Sequence, residues 1–297
     1  MSARALTRRN ALTLTLAAGA ALPAGAQEPD LSRLAPEQAA AAREFLAFTT
    51  RIDKDFKTRM AKLNGTSALE NLTFKAPTTG YVIDVGRGPV IEKGGAMMID
   101  VFGDLPPRVK DPVFNRFYSI DIHPKTPWVG MVHLAFTLGV DKQGRHSVFG
   151  WMDYMPTVKV DEDLATMRDA VDAYFKSVGR DPKPHRDLIC AGDPAETVAR
   201  WRRKPSCMGV SLYPPPFREA TLENTKFVAG AFETVYQAYL AIVERRANQP
   251  FGPVELTAQA AMRKNWLEDQ LFSDPFASAL VPYEAWSFAS GPPAVNW

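Results

Sequence analysis

The residues best placed to do chemistry lie between Phe117 and Leu138. Ser119, Asp121 and His123 alternate with Tyr118, Ile120 and Ile122, the two-residue period of a strand. A proline-bearing turn, Pro124 to Trp128, follows. The returning strand puts Met131, His133, Ala135 and Thr137 on one face, with Val132, Leu134, Phe136 and Leu138 on the other. Paired as a hairpin, the two apolar faces coincide, and Ser119, Asp121, His123 and His133 share the opposite face. Hydroxyl, carboxylate and imidazole groups gathered there are suited to moving protons or to lining a polar ligand. Alternation by itself favours a blander reading, a sheet face left in water. Two imidazoles and Asp121 could also ligate zinc or iron. Hydrogen-bonded or solvated histidines are the preferred reading, and no metal is expected.

The elements that must position this hairpin can be read on either side of it. Phe45, Phe48, Ile52, Phe56 and Met60 recur at spacings of three and four, which predicts an amphipathic helix from Pro36 to Leu63. Gly80 to Phe102 reads as strand-rich, with turns at Gly86-Arg87-Gly88 and Gly94-Gly95. Gly139 to Gly144 makes the next turn, and His146 to Met155 another strand. Helices are expected over Asp161 to Val178, Pro194 to Arg203, Leu222 to Ala247 and Val254 to Leu271, with a short strand over Met208 to Tyr213. Pro-rich Asp181 to Pro184 breaks the chain. The tail from Ser273 is rich in Pro, Trp and Phe. Strands in the middle and helices at both ends predict an α+β fold, an antiparallel sheet covered by helices.

Four blocks in order, across about residues 80 to 275, resemble oxygen-dependent coproporphyrinogen III oxidase. The most specific is Ser119, His123-Pro124, Pro127-Trp128 and His133. Upstream, Pro89 to Gly95 resembles the family's Val-Phe-Glu-x-x-Gly strand. Downstream, Val148 to Pro156 resembles its Phe-Gly-Gly-Gly-x-Asp-Leu-Thr-Pro, one residue shorter. Tyr236 to Arg246 resembles its Tyr-x-x-Ile-Val-Glu-Arg-Arg helix, followed at family-like spacing by Gln259, Arg263, Glu268 and Asp274.

The resemblance implies a large antiparallel sheet sandwiched between helices, and a homodimer. It implies oxidative decarboxylation of tetrapyrrole propionate side chains to vinyl groups, with dioxygen as co-substrate and no required metal or organic cofactor. His133 and Asp274 would be catalytic, His133 moving or orienting a proton and Asp274 accepting pyrrole N–H groups. Ser119, His123, Arg263 and Glu268 would bind substrate, with Asp121 beside them. A solvated charged face accounts equally well for Arg263.

This chain also departs from the family. Where the family has Asn-x-Arg after its second His, it carries Ala135-Phe136-Thr137. The family's Asp-Arg-Gly reads Asp274-Pro275-Phe276, and its Gly-Gly-Arg loop has no counterpart. Those arginines would pair with propionate carboxylates. The competing expectation is therefore a non-catalytic periplasmic protein that binds a tetrapyrrole or haem on the same fold.

Arg8-Arg9, the apolar run Ala11 to Leu22 and Ala24-Gly25-Ala26 read as a cleaved export signal over residues 1–26. The twin-arginine pattern is close, and a general secretion signal also fits. The expectation is a periplasmic protein with one domain over residues 27–297. The apolar run is too short for a membrane span. Formal net charge is +2. Loss of Arg4, Arg8 and Arg9 with the signal makes the remainder slightly acidic, so nucleic-acid binding has no electrostatic support. Cys190 and Cys207 could pair in an oxidising compartment or stay free thiols. Without Cys-x-x-Cys there is no covalent c-type haem site.

Overall fold

The computed structural model describes residues 29–106, 109–190, 208–212, 218–268 and 282–295. The signal region, the helix expected over Pro194 to Arg203, Cys207 and Asp274 lie outside the described residues. Seven strands form one antiparallel sheet in sequence order: β1 (Leu69–Lys75), β2 (Thr79–Gly86), β3 (Ile91–Val101), β4 (Pro112–Pro124), β5 (Met131–Asp141), β6 (His146–Met155) and β7 (Val210–Ser211). The helices are α1 (Pro36–Asn64), α2 (Asp161–Ser177), α3 (Lys183–Cys190), α4 (Leu222–Arg246), α5 (Pro253–Glu268) and α6 (Tyr283–Ala289). The chain is α+β, with an antiparallel sheet packed against helices. None of the described helices is long and apolar enough to cross a membrane.

The face formed by Tyr118, Ile120, Ile122, Leu134, Phe136 and Leu138 packs on α1, α2 and α4. α1 starts where Pro36 needs no donor and the Gln38 side chain accepts from Ala35 N at 3.2 Å. It ends at Gly65, whose positive φ of 67° suits a residue without Cβ. Its buried stripe is the one read from the sequence: Phe45, Phe48, Ile52, Phe56 and Met60. α4 is capped by the Thr221 hydroxyl, which accepts from Asn224 N at 3.1 Å. Its far end clamps α2. Arg246 Nε donates to Asp163 Oδ2 at 3.0 Å and Arg245 Nη2 to Asp163 Oδ1 at 2.5 Å, and Asp163 is buried. The Glu-Arg-Arg end of this helix is thus a joint between two helices.

One local expectation is corrected. Gly94-Gly95 is not a turn but part of β3. A Cβ on Gly94 would run into Met60 of α1, and one on Gly95 into the backbone of Ala289. The glycines therefore mark close approach on both faces of the sheet, not a change of direction. The tail also holds a helix, α6, which packs its Ala285, Trp286 and Ala289 with Tyr81, Ile83, Met97 and Ile99 of the sheet. β1, an edge strand with mostly exposed or half-buried residues, had no clear sequence signal.

Candidate functional site

β4 and β5 pair with the faces read from alternation, but with Asp121 rather than His123 opposite His133, and Ser119 opposite Ala135. β6 extends the row, placing Asp153 on the other side of His133 and Trp151 beside Ala135. β3 closes it with Gly95 opposite Asp121. This face is not left in water. Ser119, Asp121, His123, Thr137 and Asp153 are all buried, beneath α3, α5 and α6.

The centre of the face is a carboxylate–imidazole pair. His133 Nδ1 donates to Asp121 Oδ1 at 2.8 Å, because an ionised carboxylate only accepts. With Nδ1 engaged by the carboxylate, Nε2 is the ring nitrogen left to face a ligand. Asp121 is fully buried, while the His133 side chain keeps 17% of its surface exposed. The Trp266 ring of α5 lies against it, centroids 5.4 Å apart. A buried carboxylate that fixes the tautomer and stabilises the imidazolium gives a histidine able to take and return a proton.

Three groups pin the chain end over this row. Lys93 Nζ donates to Ser287 O at 2.8 Å and Gly291 O at 2.5 Å. His123 Nε2 donates to Ser290 O at 3.0 Å, and Trp266 Nε1 to the same oxygen at 3.1 Å. Burial lowers the Lys93 ammonium to about 8, aided by the charge of Arg87 and opposed by Asp121 and Glu70. Burial also lowers His123 to about 3, so its imidazole is neutral. His123 thus binds the protein's own C-terminal segment.

The remaining residues singled out from the sequence are less central. Arg263 is buried on α5 and donates to Glu92 Oε2 at 2.6 Å, tying the helix to β3. Gln259, one turn earlier, donates to Pro124 O at 3.2 Å. Glu268 is the last residue of α5, and Asp274 lies outside the described residues. Ser119 Oγ, Asp121 Oδ2, His123 Nδ1 and Thr137 Oγ1 are buried with no hydrogen-bond partner among the described residues. Sequence reasoning placed Thr137 on the face of His133 without giving it a role, and did not single out Lys93, Asp153 or Trp266 as members of this constellation. Lys93, Thr137 and Asp153 sit at the right phase of strand alternation. Trp266 reaches His133 only through tertiary packing. Among the described residues no group of three or more His, Cys, Asp or Glu side chains is arranged to hold a metal ion. No protein-family model matches the chain.

Proposed function

We propose that the Asp121–His133 pair serves proton transfer to and from an electron-rich nitrogen heterocycle. The reaction nominated by the sequence resemblance is coproporphyrinogen III oxidase-like decarboxylation of tetrapyrrole propionates. The supporting observation is the 2.8 Å contact from His133 Nδ1 to the buried Asp121 carboxylate, on an antiparallel sheet with helices on both faces. In this reading the neutral Nε2 takes a pyrrole N–H proton as the ring is oxidised, and Asp121 steadies the resulting charge. The propionate loses carbon dioxide and, from the carbon bonded to the ring, a hydride equivalent. A vinyl group remains. Dioxygen takes the hydride equivalent and one further proton to become hydrogen peroxide. The homodimer, the periplasmic location and the oxidase-like fold belong to the same proposal.

A second reading is a tetrapyrrole carrier without turnover. It is favoured by the engagement of Arg263 with Glu92 and by Ala135 and Thr137 standing where the family pattern expects carboxylate-binding side chains. The test mixes the purified protein, without residues 1–26, anaerobically with coproporphyrinogen III. Air is then admitted and products are followed by chromatography with mass detection. Oxidase action gives loss of carbon dioxide and two hydrogens per propionate, slowed about 10²- to 10⁴-fold in His133→Ala. Binding without mass loss establishes the carrier, and equal rates in both proteins overturn the role of the pair.

A further inference from the structure

The sheet face that carries the pair continues past it. Met131 and Met155 form the next cross-strand pair on that face beyond His133 and Asp153. α5 runs alongside, and its Met262 and Trp266 join the same apolar cluster as the two strand methionines. Between helix and strand end lies a cleft of about 160 Å³, open on one side. Ala258, Ala261, Met262 and Asn265 line it from α5, at the spacing of one helix face. Met155 and Thr157 line it from the sheet side.

Its size and lining select a ligand class. A cavity near 150 Å³ holds one benzene-sized ring, so this cleft takes in one ring, with a fused second ring reaching its open side, and not a macrocycle. The two methionine thioethers are polarizable and adapt to ring edges. The Asn265 amide supplies one donor and one acceptor group. Thr157 already donates to Pro127 O and is fixed in place. Two of its lining residues are near neighbours of the polar row, one on each wall. Met155 follows Asp153 by one strand repeat, and Met262 precedes Trp266, the residue against His133, by one helical turn.

We propose that this cleft binds one planar heteroaromatic ring, and that Ala258 and Ala261 set the width it accepts. The ring is either free or one arm of a larger substrate. Its turnover would rest on the function proposed above; its binding does not.

The probe is indole, titrated into the full chain beyond the signal with its methionine methyl groups labelled with carbon-13. The Met155 and Met262 methyl resonances shift saturably, and Ala258→Phe weakens binding at least tenfold with an unchanged circular dichroism spectrum. Asn265→Leu, at a half-buried position, weakens it less. Unmoved Met155 and Met262 resonances, or Ala258→Phe binding like wild type, overturn the proposal. His133→Ala leaves the lining intact, so it binds indole even where turnover is lost, which separates this site from the reaction. Displacement of indole by coproporphyrinogen III upholds the cleft as a subsite of the tetrapyrrole reaction. Indole retained at saturating coproporphyrinogen III upholds it for a free ring and overturns the tetrapyrrole reading of the cleft.

Discussion

Phe136 and Thr137 are neighbours in β5, yet they face two differently built halves of the molecule. Phe136 points toward α1 and α4. Its ring centroid lies 4.6 Å from that of Phe45 and 5.6 Å from that of Phe48, inside a continuous apolar cluster. Thr137 points the other way, toward the face of Ser119, Asp121 and His133, and its buried Oγ1 has no partner among the described residues. The first face gains stability from every side chain it buries. The second buries carboxylates, imidazoles, an ammonium and hydroxyls, and leaves several of their atoms unpaired at about 1–3 kcal/mol each. The polar row is only part of that second face, which beside it buries an apolar cluster of its own, with Tyr81, Ile83, Met97, Ile99 and Trp286. The unpaired polar atoms are thus carried by apolar packing on both faces of the sheet.

The largest expected effect breaks the comparison from the stabilising side. Phe136→Ala removes a ring from a well-packed site and should cost about 3–5 kcal/mol, as such truncations generally do. Chemical denaturation with an unchanged m-value measures it. A loss below about 1 kcal/mol would mean that the α1–α4 face is not the main anchor of the sheet.

The adjoining position should behave in the opposite sense. Thr137→Val keeps the branched shape and removes the unpaired hydroxyl. It is expected to raise stability by up to about 1–3 kcal/mol, the desolvation cost of an unsatisfied buried group. Thermal and denaturant unfolding of the variant give the sign. A destabilised Thr137→Val would show that Oγ1 has a partner in solution, and that this face is better satisfied than its burial suggests.

How much of this was legible in the sequence differs between the same two faces. Regular alternation in β4 and β5 carried the faces, and with them Asp121 and His133 on one side of the sheet, while the register that sets Asp121 opposite His133 was not legible. The three-and-four spacing of Phe45 to Met60 carried α1. Both signals are local, and one hydrophobic face enforces each. The covering of the polar face is not local. Lys93 reaches Gly291 across 198 positions, and Trp266 reaches His133 by packing alone. Gly94-Gly95 misled because glycine marks turns and close backbone approach alike. Only the positions of Met60 and Ala289 decide between them. The seven residues of α6 are too few to show a convincing helical period.

The smallest effect per unit of perturbation sharpens the comparison by titrating the polar face without cutting it. His123 is buried and hydrogen-bonded to Ser290 O, and its folded-state value is lowered to about 3. An unfolded chain protonates the same imidazole near its ordinary value of about 6.5. Between these values the unfolded state holds a proton that the folded state refuses, so stability falls as pH falls through that window. The slope contributed by one such group is about 1.4 kcal/mol per pH unit. His185, lowered by burial and by Arg218, adds in the same direction, so the measurement must be a difference. His123→Gln keeps an N–H donor and does not titrate. Stability measured from pH 6 to pH 4 should therefore fall less steeply in His123→Gln than in wild type. Identical slopes would mean that the His123 imidazole accepts a proton in the folded protein. The cover of α6 over this face would then admit the water that a charged imidazole requires, and the sealed side of the sheet would be open in solution.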